Sequence, residues 1–455
     1  MGGEWPKLQL SELCSYINRG SAPAYTEDNG ILVLNQKCIR DQRVNFSLGR
    51  RTDPRKKKIA NERMLQPFDI LVNSTGIGTL GRVAQILDLP EPATVDSHVT
   101  ILRPNQEIVD PHYLGYVLRC FERSIEMLGE GSTGQTELAR SRLAAFSVPI
   151  SPDRDEQRAI ARILGTLDDK IELNRRMNET LEAMAQALFK SWFVDFDPVV
   201  VNAIRAGNPI PEKFAAKAAH YSENPDALGL PEHILRLFPD RFVDSELGPV
   251  PERWEVGPLS TIAKLRTETI VPRREPEAVW EHYSIPAFDQ GRMAKLERGI
   301  DIKSGKYKVP ITAVLASKLN PQFPRVWLPN VINEDRAICS TEFMPFVPVK
   351  AEWRSLLYEL LKSDLVQEGV RAAATGSTGS RQRVKPKTVA SMPMIVAPAE
   401  ILDTFCDQIT SAHNLVLSNE RESRILATLR ETLLPKLISG ELRVPDVEKI
   451  LEEAT

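Results

Sequence analysis

Two basic clusters could bind phosphate groups in this 455-residue sequence. The first holds six cations in nine residues, broken only by Asp53: Arg50, Arg51, Arg55, Lys56, Lys57 and Lys58. The second lies within residues 369–399, which contain no acid: Arg371, Arg381, Arg383, Lys385 and Lys387. Because alternate residues of a strand share a face, positions 381–387 would place four cations on one side. Such concentrated charge is what contacts with a nucleic-acid backbone require.

A Gly-Ser-Thr-Gly segment occurs in each half of the chain, at residues 131–134 and 376–379. Its small residues, hydroxyls and amides suit a loop that lies close to a DNA backbone. We predict the following DNA-binding residues: Arg50, Arg51, Lys56, Lys57, Lys58, Thr133, Gln135, Lys318, Ser377, Arg381, Arg383 and Lys385. Lys318 is included because it follows an apolar run as Ser74 does in the first half. The alternative is a solvated edge strand and a surface loop without a ligand.

Motifs for catalysis are weak or missing. Gly76–Gly81 matches the dinucleotide fingerprint, but a strand-like run follows it where a helix is needed, so we interpret it as a tight β turn. Asp96-Ser97-His98 has triad residue types, yet neighbours on a strand point apart. There is no ATP-binding phosphate loop, no Asp/Asn-Pro-Pro-aromatic motif for adenine methylation, and no histidine pair at metal-ligand spacing. We therefore predict no catalytic residue, no metal and no cofactor in this chain.

Composition predicts a protein of the reducing cytosol with two or three domains. The five cysteines form no CxxC pair, which argues against a disulfide framework or a zinc ribbon. No apolar run approaches membrane-spanning length. The net charge of −3 and the pI near 6.2 are unusual for a free-standing DNA-binding protein. A nucleic-acid ligand would therefore need locally clustered cations or a partner that supplies charge.

The chain contains a duplication that ends, in each copy, in a long helix with a heptad seam. An offset of 245 relates the two seams, which both carry small polar residues at their centres. The predicted seam residues are Ile160, Leu164, Leu167, Ile171, Asn174, Asn178, Leu181, Leu188, Phe405, Ile409, Val416, Asn419, Leu426 and Leu433. A period of 3.5 predicts pairing with another helix, and here the other copy can supply it.

The direction of pairing is not decided by the seam alone. An antiparallel pair would bring Asn178 to Asn419, but a parallel pair would also align the polar layers. Two domains at opposite ends of one rod require the antiparallel form, which we predict. The alternative is a pair of ordinary amphipathic helices on separate domains.

The predicted fold class is α/β, with two similar α/β recognition domains related by pseudo-two-fold symmetry and joined by two long antiparallel coiled-coil helices. We expect recognition domains at 1–154 and 252–397, with long helices at 155–197 and 398–440. Residues 198–251, with eight prolines, form a structured connector or a linker, and residues 441–455 a tail.

Several longer strings resemble the specificity subunits of type I restriction-modification systems. They include Glu156–Ile160, Leu167–Asn174 and Leu188–Pro198 in the first copy. Leu237–Phe242, Ser245–Pro249 and Leu433–Glu441 are equally typical of that family. The second copy departs from the pattern at Glu400-Ile401-Leu402, where the family often repeats Glu-Gln, and this affects local capping only. The resemblance covers the whole chain.

The resemblance implies a DNA-binding, non-catalytic subunit. Each recognition domain would read one half of a split double-stranded DNA target, and the coiled coil would set the gap. Two copies of a modification subunit would dock around the coil and methylate adenine with S-adenosylmethionine. Motor and nuclease subunits would add ATP- and Mg²⁺-dependent translocation and cleavage, all in the cytoplasm and without a membrane.

Other classes of protein remain open from the sequence. A stand-alone nuclease or methyltransferase would need the missing motifs. A DNA-binding regulator, or an orphan subunit without partners, would keep the two basic domains. A neighbouring methyltransferase gene would discriminate these from a specificity subunit. A coiled-coil adaptor would leave the basic clusters without a purpose.

Overall fold

The computed structural model describes residues 5–130, 136–224, 226–376 and 382–446. The chain divides into two compact units, Met1–Leu173 with Arg421–Thr455 and Asn174–Glu420, which we call the first and the second unit. Each contains a mixed α/β domain and a segment of both long helices. The predicted α/β class, with two similar domains and two long helices, is confirmed.

The first unit is built on two four-stranded sheets. The central one has the order Cys14–Arg19, Val99–Pro104, Ile70–Asn73, Val83–Gln85, all antiparallel. The other has the order Ala93–Val95, Ile31–Leu34, Arg50–Thr52, Tyr25–Thr26. Ile70 and Val72 enter one apolar cluster and Leu71 the other, so the central strand is covered on both faces. This two-sided burial explains why its residues form an unbroken apolar run.

Helices of the first unit follow the central sheet in sequence. Pro111–Cys120 is fixed at its start by Asp110, whose carboxylate accepts a hydrogen bond from the Tyr113 amide at 3.0 Å. Two five-residue helices come next, Glu122–Glu126 and Arg140–Ala144. The second of these begins six residues after Gly134, the last residue of the Gly-Ser-Thr-Gly segment, which lies outside the described residues.

The second unit repeats this plan, but its second sheet has five strands instead of four. Its four-stranded sheet has the order Ala263–Leu265, Phe343–Pro348, Val314–Ser317, Val326–Trp327. A five-stranded sheet has the order Thr269–Ile270, Lys306–Lys308, Ala337–Cys339, Val279–Tyr283, Lys295–Arg298. The helices Arg354–Lys362, Asp364–Ala372 and Pro386–Ala390 complete the domain.

The proline-rich stretch 198–251 is folded where it is described. It forms the helices Asp197–Ala206, Ala215–Glu223 and Glu232–Leu235, then a hairpin of Phe242–Ser245 and Gly248–Pro251. Phe214, Leu235 and Phe238 join the main apolar core of the second unit. This segment is therefore folded and packs against that core.

The long helices are Arg154–Phe193, with 40 residues, and Ala399–Ser439, with 41. Within the first unit, Asp168 pairs with Arg430, and Lys170 lies 3.4 Å from Glu422. Within the second unit, the Asn419 amide donates to Asn178 Oδ1 at 2.8 Å, and the rings of Phe189 and Phe405 are 5.9 Å apart. Rising numbers on one helix meet falling numbers on the other in both units, so the predicted antiparallel pairing is confirmed.

All fourteen predicted seam residues are buried or half-buried. The apolar ones near the helix ends enter the main core of their own unit: Ile160, Leu164, Leu167 and Leu433 in the first, Phe405 and Ile409 in the second. Asn174 and Asn419 are buried polar residues within the seam of the second unit. Asn178 also donates to the Val416 carbonyl at 3.3 Å.

The end of the second long helix completes the core of the first unit. Leu433, Leu437 and Val444 belong to the same apolar cluster as Trp5 and Ile160. Gly440 ends the helix with a φ of +75°, and a Cβ there would lie 2.7 Å from the indole nitrogen of Trp5. The tight approach and the positive φ both require glycine at this position.

All five cysteines are free thiols, which fits the predicted absence of a disulfide framework. Burial raises the pKa of Cys14 and of Cys406 to about 12, so these thiols stay protonated and unreactive. In the described part of the chain, no helix is long and apolar enough to cross a membrane.

Candidate nucleic-acid interface

The first basic cluster contains cations with two different roles. Arg51 is bound internally: its guanidinium donates to both carboxylate oxygens of Glu91 and to the Gly30 carbonyl, each at 2.8 Å. Arg50, its neighbour on the strand, is exposed, and its guanidinium carbon lies 3.7 Å from the centre of the Tyr25 ring. The alternation of a strand thus turns one arginine toward the protein and the other toward solvent.

In the loop that follows this strand, some cations bind acceptors within the protein and others are exposed to solvent. Arg55 donates to Asp53 at 3.1 Å, and these hydrogen bonds hold the pKa of Asp53 below its ordinary value. The Lys57 amine donates to the Ala22 carbonyl at 2.6 Å, whereas Lys56 and Lys58 are exposed. Arg50, Lys56 and Lys58 are therefore the residues of this cluster best placed to meet an anionic ligand.

Residues on either side of the undescribed segment 131–135 form a small β structure, which we call the first loop base. Glu137 forms isolated bridges with both Glu130 and Thr75, and the Leu138 amide donates to the Ser74 carbonyl at 2.8 Å. Glu137 also forms an ion pair with Arg19. The predicted residues Thr133 and Gln135 lie outside the described residues.

The second loop base has the same backbone pattern with the opposite charge. Arg383 forms isolated bridges with Thr375 and Leu319, and the Val384 amide donates to the Lys318 carbonyl at 3.1 Å. The Arg383 guanidinium donates to both oxygens of Glu342, at 3.0 and 3.1 Å, yet its side chain remains 48% exposed. The predicted residues Ser377 and Arg381 lie outside the described residues.

The described predicted residues adjoin the loop base in the second unit but not in the first. Lys318, Arg383 and the exposed Lys385 all belong to the second loop base or follow it directly. In the first unit, the basic cluster is on the sheet of Arg50–Thr52, whereas the loop base adjoins the sheet of Ile70–Asn73. The described predicted residues of the first unit are thus on a different sheet from its loop base.

Two further cations of the first unit were missed by the sequence prediction. Arg140 and Arg142 are exposed on the short helix that follows the first loop base. The duplication offset of 245 places them at Lys385 and Lys387, which are exposed beside the second loop base. Applying the offset to Lys385 would have identified them. Arg142 also forms an ion pair with Glu130.

The first unit fixes its domain to the paired helices through Asp168. Its carboxylate accepts hydrogen bonds from Arg119 at 2.7 Å and from the Tyr116 hydroxyl at 2.9 Å, and it pairs with Arg430. Burial opposes ionisation of Asp168, but the guanidinium groups of Arg119 and Arg430 outweigh it and lower its pKa. The contact is therefore a charged network that joins the domain to both helices.

The second unit uses two contacts for the same purpose. Glu182 on the first long helix forms ion pairs with Arg292 at 2.8 Å and with Lys362 at 3.1 Å. Burial opposes the ionisation of Glu182, but these two cations outweigh it and lower its pKa. His413 on the second long helix lies 3.0 Å from Glu359, and both side chains are buried. Both contacts tie the domain to a helix by buried polar groups.

The glycine-rich segment after Ile70–Asn73 is a turn between antiparallel strands, since Val72 pairs with Val83. This confirms the β-turn interpretation, because a dinucleotide site would need a helix in that place. His98 lies in a turn, where its amide donates to Asp96 and its ring nitrogen lies 2.8 Å from the Thr75 hydroxyl. Among the described residues, no group of three or more His, Cys, Asp or Glu side chains is arranged to hold a metal ion.

Comparison with known proteins finds similarity to one family. Residues 3–183 match the "Type I restriction modification DNA specificity domain". The HindI specificity subunit of Haemophilus influenzae is 26% identical over 96% of this chain and 100% of its own length. The MjaIX specificity subunit of Methanocaldococcus jannaschii is 26% identical over 78% of this chain and 74% of its own length.

A solved structure shows the same fold. The crystal structure of the type I restriction-modification S subunit from M. genitalium aligns with a TM-score of 0.54 at 14% identity, covering 95% of this chain and 96% of the other. The resemblance predicted from the sequence strings is thus confirmed along nearly the whole chain. The chain is thus similar to the specificity subunits of type I restriction-modification systems along nearly its whole length, and residues 3–183 match the DNA specificity domain of that family.

Proposed function

We propose that each α/β domain reads one half of a split DNA target and that the paired helices set the gap between the halves. The observation that carries this proposal is the repeated loop base. Thr75, Glu130 and Glu137 in the first unit have the same bridging pattern as Leu319, Thr375 and Arg383 in the second. Two copies of one loop support, on domains of divergent sequence, suit two readers with different targets.

The proposed DNA-binding surface joins each loop base to its neighbouring cations. In the second unit it comprises Lys318, Ser377, Arg381, Arg383 and Lys385. In the first unit it comprises Thr133 and Gln135 with Arg140 and Arg142, and separately Arg50, Arg51, Lys56, Lys57 and Lys58. The exposed lysines and arginines suit phosphates, whereas Gln135 and the loop hydroxyls can approach base edges. Arg51 and Lys57 act mainly by holding the first cluster in shape, since internal acceptors occupy them.

The recognition domains are assigned to residues 1–154 and 252–397, and the spacer to the helices 155–197 and 398–440. The connector 198–251 and the tail 441–455 complete the chain. Antiparallel pairing supports the spacer role, because it lets one helix pair serve both domains. The bond between Asn419 and Asn178 favours one register, as single polar residues do in other coiled coils.

The partners in this proposal are double-stranded DNA, two copies of a modification subunit, and motor/nuclease subunits, all in the cytoplasm. S-adenosylmethionine would bind to the modification subunits, and ATP and Mg²⁺ to the motor/nuclease subunits. The mild net charge of −3 supports such a division, because partner subunits can supply the remaining phosphate contacts.

The first test is co-expression with the neighbouring methyltransferase gene, followed by single-molecule mapping of N6-methyladenine across the host genome. We expect one split motif with a fixed gap. A continuous motif would contradict the two-reader proposal. An intact complex on a sizing column without any methylation would contradict the proposed modification partner and leave a regulator as the better description.

The second test changes the spacer alone. One heptad is inserted after Asn178 and another before Asn419, so that the seam phase is kept in both helices. We expect methylated half-sites of unchanged sequence with a longer gap. The matched control inserts seven residues after Leu228, in the connector, and should leave the gap as it was. An unchanged gap in the two-helix variant would refute the spacer role.

A further inference from the structure

Each unit presents one large apolar side chain to solvent from the turn that follows its central strand. In the first unit Ile77 is 80% exposed, in the turn between Ile70–Asn73 and Val83–Gln85. In the second unit Phe323 is 62% exposed, in the turn between Val314–Ser317 and Val326–Trp327. The two turns occupy the same place in the duplicated fold. We call Ile77 and Phe323 the apolar tips.

The first tip is held by a rigid turn. Gly76 has a φ of +104°, and a Cβ there would come within 2.3 Å of Gln36 Oε1, so the turn requires glycine. The Thr79 hydroxyl donates to the same Gln36 oxygen at 3.2 Å, and Arg82 donates to the Gly78 carbonyl at 2.9 Å. These bonds fix the backbone on both sides of the exposed isoleucine.

The second tip is held by different residues in an equivalent way. Asn320 adopts a φ of +52°, and its carbonyl accepts from the Phe323 amide at 3.0 Å. The Asn320 amide donates to the Gln382 carbonyl at 2.8 Å, which ties the turn to the second loop base. Arg325 is clamped by Asp289 at 2.7 and 2.9 Å and donates to the Phe323 carbonyl at 3.4 Å.

The tips belong to the same edge of each domain as the loop bases. Thr75, two residues before Ile77, bridges Glu137, and Leu319, four residues before Phe323, bridges Arg383. Met127 and Ile332 are comparably exposed, at 77% and 71%, but neither lies in the turn that follows a central strand. The position within this shared turn thus separates the tips from these two scattered surface residues.

A fixed apolar side chain at the proposed DNA-binding edge of a domain suits contact with an apolar part of an otherwise charged ligand. In the DNA major groove, the thymine 5-methyl group is such a feature, flanked by phosphates. We propose that Ile77 and Phe323 each contact a thymine methyl group in the half-site read by their own domain, and so contribute to specificity. This inference rests on the proposed function and identifies a base feature that each domain reads.

The test uses the full chain in complex with its modification subunit and a duplex that carries the mapped target. Each thymine of the two half-sites is replaced singly by deoxyuridine, which removes only the methyl group, and affinity is measured by fluorescence anisotropy. For the wild type we expect one such replacement in each half-site to weaken binding about fourfold, the value for one buried methyl group.

The variants Ile77→Ala and Phe323→Ala locate the contact. Ile77→Ala should bind the unmodified target about fourfold more weakly and lose its response to deoxyuridine in one half-site only. Phe323→Ala should do the same for the other half-site. Leu87→Ala and Ile332→Ala remove other exposed apolar side chains, at 56% and 71% exposure, and should bind like the wild type.

The outcomes separate this inference from the function on which it rests. If the wild type fails to prefer its target over a scrambled duplex, the proposed function itself is wrong. If the preference is intact but both tip variants match the wild type, only the inference is wrong. A weaker tip variant that still responds to every deoxyuridine as the wild type does would also overturn the methyl contact.

Discussion

At one equivalent position of the long helices, the two units place the acid on opposite sides of the contact between domain and helix. In the first unit the helix supplies the acid Asp168, and the domain supplies Arg119. The duplication offset of 245 places His413 at the equivalent position of the second long helix, where the domain supplies the acid Glu359. The same place in the fold is thus held by an acid on the helix in one copy and by an acid on the domain in the other.

This difference teaches that the copies are complementary to their own helix segments and not interchangeable. A domain that presents Arg119 at this position would meet His413 instead of an acid if it were placed on the other segment. The loss would include the desolvation of a guanidinium without its counter-ion, which is costly in a buried site. At this position the charge pattern therefore distinguishes the two contacts between domain and helix.

The largest expected effect comes from removing the acid of the first unit. Asp168→Ala would leave Arg119 and Arg430, whose side chains are 13% and 17% exposed, without their shared partner. We expect a loss of about 3–5 kcal/mol in the free energy of unfolding of the first unit. Urea unfolding and peptide-level hydrogen exchange would measure it. The exposed neighbour Asp169 is the control, and equal effects of both alanine variants would remove the basis of the comparison.

The same network predicts how the first unit responds to acid. The pKa of Asp168 is lower in the folded protein than its ordinary value of 3.8, so its contribution is fully present above that value. The contribution is lost as the pH falls through the lowered pKa. Unfolding of the first unit, followed between neutral pH and pH about 2, should therefore be less pH-dependent in Asp168→Asn than in the wild type. Parallel pH curves would show that this carboxylate does not carry the effect.

A smaller effect is expected from the equivalent acid of the second unit. Glu359→Ala would remove one hydrogen-bond partner of the buried His413, with an expected cost of about 1–3 kcal/mol. Hydrogen exchange should increase in residues 354–362 and in the facing part of the second long helix. The exposed Glu368 on the next helix is the matched control. A cost as large as that of Asp168→Ala would mean that the two attachments are equivalent after all.

The smallest effects on folding are expected at the loop bases, where the contrast concerns binding. Arg383→Glu should lower the salt dependence of DNA binding, by about 0.9 in the logarithmic slope for each phosphate that is no longer neutralised. Glu137→Arg should raise it by making the first loop base resemble the second. Lys303→Glu changes the charge of an exposed residue elsewhere in the second unit and should leave the slope unchanged. Equal slopes for Arg383→Glu and Lys303→Glu would exclude this arginine from the interface.

The helices and their pairing could be predicted because their signal is periodic. Ile160, Leu164, Phe405 and Ile409 keep one face of a helix apolar over many turns, and only another helix can cover such a stripe. The central strands were visible for a similar reason, as runs such as Ile70–Val72 are buried on both sides. These features depend on spacing along the chain alone.

The partners of charged side chains could not be predicted, because they depend on which residues folding brings together. Arg51 and Arg50 are neighbours in sequence, yet one is bound to Glu91 and the other is exposed. Nothing local to Asp168 indicates that Arg119 and Arg430, distant in sequence, would share it. The proline count of 198–251 likewise left open whether this segment folds, since the answer lies in the apolar contacts of Phe214 and Phe238 with the core.

The split composition of the first unit has a consequence for how the protein is made. Ribosomes release Asn174–Glu420 as one continuous stretch, so the second unit has all its residues before the first one does. Trp5 and Ile160 are synthesised early, but they stay exposed until Leu433 and Leu437 have been synthesised and can pack in the same cluster. The first unit, most of which is synthesised first, is therefore the last to complete its core. A nascent chain that stops before residue 421 exposes an apolar surface to which chaperones or proteases can bind.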